Sequence, residues 1–179
     1  MFKCQGKNIN IFDRAKIVYP ENIELGSNVI IDDFVLIVAK KRIVIGNNVH
    51  IASFTSITGN EEFIAEDFSA ISSGCRIFTS TDDYSGAYLS NPTVPDKYKN
   101  VFSAPVVIKK YSLVGANSVI LPGSIIEEGV SIGANSLVKG LTEPYCLYVG
   151  NPIKKIRHKD EKQFKRLEKD YLSRLQGKK

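Results

Sequence analysis

The chain lacks any long apolar stretch. Near its start the run Val29-Ile30-Ile31 is cut at once by Asp32-Asp33, and nothing approaches the roughly 18–20 unbroken apolar residues of a membrane span. The opening Met1-Phe2-Lys3-Cys4-Gln5-Gly6 has no apolar core of the secretory-signal kind, so a cytoplasmic location is the expectation. Cysteine is scarce as well. Cys4, Cys75 and Cys146 form no CxxC pair and are odd in number, which suggests neither a disulfide framework nor a metal knuckle. No metal is expected. Histidine is rarer still, at His50 and His158 only. With no P-loop and no GxGxxG, nucleotide hydrolysis and dinucleotide chemistry have no support.

The 179 residues suffice for one sizeable domain. The net charge of +5 is uneven: residues 154–179 hold 11 of the 24 Lys and Arg but four of the 19 Asp and Glu. The remainder is slightly acidic, which argues against a nucleic-acid surface over the whole fold. The basic end reads as a tail or as a local site for a phosphorylated ligand.

A repeat decides the fold. Aliphatic side chains recur every six positions at Leu25, Ile31 and Ile37, then Ile45, Ile51 and Ile57, then Ala65, Ile71 and Ile77. Each triplet is eight residues from the next, so one turn takes 20 residues. After an interval the beat resumes at Ile108, Val114, Ile120, Ile126, Ile132 and Val138. Neither a helix nor a hairpin generates a period of six. A coil with three flat faces does, with one aliphatic side chain per face pointing inward and a Gly, Asn or Asp near each corner. Candidate corners are Gly26-Ser27-Asn28, Asp32-Asp33, Gly46-Asn47-Asn48, Gly115-Ala116-Asn117 and Gly133-Ala134-Asn135. Coils stacked in this way share one continuous core.

Two segments leave the beat. Residues 79–107, rich in Asp, Pro, Tyr and Ser, read as an extruded loop of the functional kind. From about Asp160 to Gln176, Phe164, Leu167, Tyr171, Leu172 and Leu175 share a helical face, with Asp160 as N-cap. The expected organisation is therefore a β-helical domain over residues 1–157 and a basic amphipathic helix over residues 158–179.

The stretches Leu25-Gly26-Ser27-Asn28-Val29, Ile45-Gly46-Asn47-Asn48-Val49, Ile120-Leu121-Pro122-Gly123-Ser124-Ile125 and Val149-Gly150-Asn151-Pro152-Ile153-Lys154-Lys155-Ile156 resemble the hexapeptide-repeat acyltransferases. The last two are similar to signatures of the sugar-acetyltransferase branch, which includes galactoside and maltose acetyltransferases. The resemblance spans about residues 17–157. It implies an all-β, left-handed parallel β-helix, an exception to the right-handed crossover rule. It also implies a homotrimer, acetyl-coenzyme A as co-substrate, and a sugar or nucleotide-sugar acceptor. The run Asp82-Asp83-Tyr84-Ser85-Gly86 resembles acetyltransferases of cell-surface polysaccharide biosynthesis, which makes a sugar hydroxyl the first acceptor to consider. An amino sugar carried on a nucleotide is the alternative, and a noncatalytic β-helical scaffold the second. Zinc-binding carbonic anhydrase relatives use three histidines, which this chain does not have.

Acyl transfer from a thioester needs a base for the acceptor, a donor for the developing oxyanion and a slot for the pantetheine arm. The position of the family's catalytic histidine, five residues past the last repeat aliphatic, holds Asp82 here. His50 and Asn60 fall where the family faces the acceptor from an adjoining subunit. With unperturbed pKa values near 6.5 for His and 3.9 for Asp, His50 is the expected general base. Asp82 or Asp83 would orient it across a subunit boundary, as the acid of a triad does. Asn60 and Tyr84 are candidate acceptor contacts. For coenzyme A, Gly115-Ala116 and Gly133-Ala134, 18 residues apart, are candidates for a groove. Lys139, Lys154, Lys155 and Arg157 are placed to meet the nucleotide phosphates.

Overall fold

The computed structural model describes residues 1–176. They form a parallel β-helix of three sheets, followed by one helix, α1 (Glu161–Gln176). The first face stacks six strands in the order Cys4–Gln5, Ile23–Leu25, Ile43–Ile45, Phe63–Ala65, Val106–Ile108 and Ile125–Ile126. The second face runs from Ile9–Ile11 through Val29–Ile31, His50–Ile51, Ala70–Ile71, Leu113–Val114 and Ser131–Ile132 to Cys146–Val149. The third stacks Lys16–Val18, Leu36–Val38, Ser56–Thr58, Arg76–Phe78, Val119–Ile120 and Leu137–Val138. Successive strands of one face are thus about one turn apart in sequence, except across the loop that separates Arg76–Phe78 from Val106–Ile108.

The six-residue beat maps onto the core. Ile31, Ile51 and Ile71 are directly opposite one another on the second face and fully buried. Ile37, Ile57, Ile77, Ile120 and Val138 form the equivalent column on the third. The first face contributes a second inward column that the six-residue beat does not reveal: Ile23, Ile43, Phe63 and Val106. Phe63 swells that column where Ala65 thins its neighbour, so one strand keeps the packed volume nearly constant.

Corners hold left-handed backbone, and asparagine fills many as the composition leads one to expect. Asn8, Asn28 and Asn48 have φ near +57° and form a side-chain ladder with Nδ2-to-Oδ1 bonds of 3.0 and 3.2 Å. Further along the same edge, Phe68 and Tyr111 take over at positive φ. Phe34 and Phe54 do so on the next edge, stacked 5.0 Å apart. The conformation costs an ordinary residue about 1–2 kcal/mol, and ring stacking offsets part of it.

Residues 79–107 do not all leave the prism: Val106 already lies on the first face. The rest departs through an antiparallel ribbon, Ser80–Thr81 against Phe102–Ser103. Beyond the last coil, Lys154–His158 turns back antiparallel on Cys146–Val149. Asp160 accepts the N–H of Lys162 at 3.0 Å, capping α1. The helix lies on the edge between first and second faces, where Phe164 packs against Tyr111 and Tyr145, and Tyr171 meets Phe68 edge-on. Tyr171 donates to Asn48 at 3.0 Å, closing the asparagine ladder. No described helix is long and apolar enough to cross a membrane.

Candidate active site

His50 opens a strand of the second face with its side chain outward and 46% exposed. The carboxylate beside it is Asp32, whose Oδ2 stands 3.0 Å from Nε2. Asp32 follows the core residue Ile31 of the preceding coil, so the pair joins two coils of one chain. Among the described residues no hydrogen bond or ion pair joins His50 to Asp82 or Asp83, which follow the third-face strand Arg76–Phe78.

Asp82 sits half-buried where the loop leaves the prism. It lines a cleft with Phe78, Thr81, Tyr84, Val119 and Leu121. Asn60 lies two residues past the strand that pairs with Arg76–Phe78, which puts it on the same edge as Asp82. Its side-chain oxygen accepts from Lys40 Nζ at 3.0 Å. Asp83 has a different setting. It takes hydrogen bonds from the hydroxyl and the N–H of Ser85 and from Asn100. The Ser85 hydroxyl, with these others, holds its carboxyl below the usual carboxylate range. Its acceptors are spent on shaping the loop. Tyr84, at the exposed end of the cleft, is 92% exposed.

The glycines read as a pantetheine groove have another physical reason. A Cβ on Gly115 would meet the Ala134 nitrogen at 2.6 Å, and one on Gly133 would meet a Val149 methyl at 2.6 Å. Both spaces are filled by the next coil. What remains open at this edge is Ala116, half-buried, and Ala134, exposed. Lys139, Lys154, Lys155 and Arg157 are all exposed. Lys155 is paired with Glu143 at 2.5 Å, whereas Lys139, Lys154 and Arg157 have no ion pair among the described residues.

One cluster escaped the sequence reading. Buried Cys146 lies 3.2 Å from Nδ1 of His158, and a carboxylate oxygen of Glu143 is close to both. No short motif spaces these residues; the antiparallel return of the chain brings them together.

Comparison with known proteins places this geometry. The pattern described as "Bacterial transferase hexapeptide (six repeats)" matches residues 105–140. A dTDP-4-amino-4,6-dideoxy-D-glucose acyltransferase of Escherichia coli is 41% identical over 162 residues, 90% of this chain and 84% of that one. The N-acyltransferase AntD of Bacillus cereus, solved with dTDP and 3-hydroxybutyryl-CoA, superposes with a TM-score of 0.92 at 38% identity. It covers 98% of this chain and 92% of its own. Other AntD structures carry coenzyme A, with one serine or an aspartate ten positions further along replaced. A maltose O-acetyltransferase of Clostridium difficile 630, at 22% identity and a TM-score of 0.56 over 87% of this chain and 69% of its own, shares the fold. The coils are left-handed, as in these relatives, and the scaffold reading is set aside. The chain belongs to the hexapeptide-repeat acyltransferases, enzymes that draw their acyl group from a coenzyme A thioester.

Proposed function

We propose that the chain transfers an acyl group from a coenzyme A thioester to the amine of a nucleotide-linked amino sugar, working as a homotrimer in the cytoplasm. The observation that carries the reading is the likeness, along 90% of the chain, to an acyltransferase of a dTDP-linked amino sugar. It favours the amine acceptor over the sugar hydroxyl that the loop motif suggests. The acyl group is expected to be acetyl, with 3-hydroxybutyryl as the alternative carried by an AntD complex.

The change of acceptor changes the roles. A hydroxyl needs a base matched to neutral pH, which points to histidine. An amine arrives as an ammonium, and a carboxylate both attracts it and takes its proton. Asp82, half-buried in a cleft, fits that task. Two Ser–Asp pairs of this chain have the ten-residue spacing varied in AntD, Ser72 with Asp82 and Ser73 with Asp83. Asp83 is engaged by Ser85 and Asn100, which leaves Asp82. The neutral amine then attacks the thioester carbonyl, the C–N bond forms, the C–S bond breaks, and coenzyme A leaves as the thiol. In a trimer the second face of one subunit borders the loop of its neighbour. His50, held by Asp32, then lines the acceptor pocket together with Asn60 and Tyr84. Lys139, Lys154 and Arg157 supply charge for the phosphates of coenzyme A, and Ala116 and Ala134 leave room for its pantetheine arm.

The test is thiol release from acetyl- and 3-hydroxybutyryl-CoA with dTDP-linked amino sugars, free amino sugars and plain sugars. The nucleotide-linked amine should exceed the others by about 100-fold in kcat/KM. Equal rates with a plain sugar hydroxyl would return the reading to O-acylation. A fully active monomer in sedimentation would defeat the trimer.

A further inference from the structure

We infer that Glu143, Cys146 and His158 form a binding site for a single soft divalent cation of the zinc class. One carboxylate oxygen, the Cys146 sulfur and one ring nitrogen of His158 all lie within 4.8 Å of one another. That is a mixed O, S, N donor set, of the kind that zinc takes from proteins. The Sγ-to-Nδ1 separation, 3.2 Å, is close to the roughly 3.5 Å that tetrahedral bonds of about 2.3 Å to sulfur and 2.0 Å to nitrogen subtend. The side chains therefore need to part by a few tenths of an ångström.

The backbone holds the donors in place before any ion arrives. Cys146 and His158 are cross-strand partners in the antiparallel pair that ends the prism, and Glu143 lies three residues before Cys146. Lys155 engages Oε2 of Glu143, and Oε1 has no side-chain hydrogen bond among the described residues. The sulfur is buried, while His158 and Glu143 are exposed, so the ion enters from the solvent side and keeps a water as fourth ligand. On binding, the thiol loses its proton to solvent and a metal–sulfur bond replaces the S–H. The Sγ contact to the Pro144 carbonyl, 3.2 Å, is given up.

The proposed acyl transfer uses no metal, so the ion's part is structural. Every residue of Lys154–His158 is exposed, and little buried apolar surface holds this strand down. It nevertheless carries Lys154 and Arg157 and launches α1. A cation joining its last residue to the final coil fixes the strand at the open end of the solenoid, where repeat folds need a cap.

The experiment uses the full chain in a Cys4→Ser background, reduced, stripped with chelator, and titrated with Co²⁺ alone. One equivalent should produce a thiolate-to-cobalt charge-transfer band in the near ultraviolet with visible bands of a four-coordinate ion. Zn²⁺ should bleach both and raise the melting temperature. Cys146→Ala should abolish the ultraviolet band, Cys75→Ala should leave it, and His158→Gln and Glu143→Gln should each weaken binding by about tenfold or more. Should Cys146→Ala fail to fold, exposed His158→Gln carries the decision. No charge-transfer band at saturating Co²⁺, or a band of unchanged affinity in His158→Gln, would overturn the site.

Discussion

His50 Nε2 stands 3.0 Å from Asp32 Oδ2, so the carboxylate that orients this histidine comes from the preceding coil of its own chain. Two residues that act as one unit are non-additive when both are removed. Asp32→Asn and His50→Ala should therefore reduce kcat/KM by similar factors, below about tenfold, and the double variant should be no worse than His50→Ala. Asp82→Asn should cost about 10²–10⁴-fold, the usual contribution of a general base. Steady-state kinetics with a nucleotide-linked amino sugar checks the order. His50→Ala as the more severe lesion would restore histidine as the base.

Gly115 separates coil stacking from ligand binding. The backbone of residues 133–134 lies where its Cβ would be, and backbone cannot turn aside as a side chain can. Gly115→Ala should destabilise by about 1–3 kcal/mol through overpacking. Thermal melts should register the loss, with the KM for acyl-CoA little changed in the protein that remains folded. A raised KM at unaltered stability would point to a groove.

The core column offers a direct test of the repeat. Ile51 is fully buried between Ile31 and Ile71. Truncation to Ala should cost about 2–5 kcal/mol, measured by denaturant unfolding. A loss below about 0.5 kcal/mol would mean that the column does not hold the coils together.

The docking of α1 should depend on pH. Burial of Glu168 opposes its ionisation, but Lys110, at 2.7 Å, and the donating Tyr111 hydroxyl prevail and lower its pKa. A carboxyl with a depressed folded-state pKa adds stability above its unfolded value, near 4.3, and loses it as pH falls through the folded value. As pH falls below about 4.3 toward the lower folded value, α1 should become progressively easier to cleave by an acid-active protease, with little change between that pH and neutral. Glu168→Gln should weaken docking at neutral pH and flatten the response. An unchanged pH profile in that variant would assign the effect elsewhere.

The sequence by itself determined the repeat. A side chain every six residues writes its period into the chain, and Ile31, Ile51 and Ile71 were bound to stack once coils of 20 residues formed. Asparagine corners and the α1 cap were legible for the same reason, since each depends on neighbours in sequence. The partners of functional side chains were not. Asp32 meets His50 across two coils, Asp83 is spent on Ser85 and Asn100, and the room beside Gly115 belongs to the next turn. Cys146, which belongs to no CxxC pair in the sequence, finds His158 because an antiparallel strand folds back on the last coil. A periodic core says which residues point inward; only the stacking of coils and the path of the returning chain decide which outward residues touch.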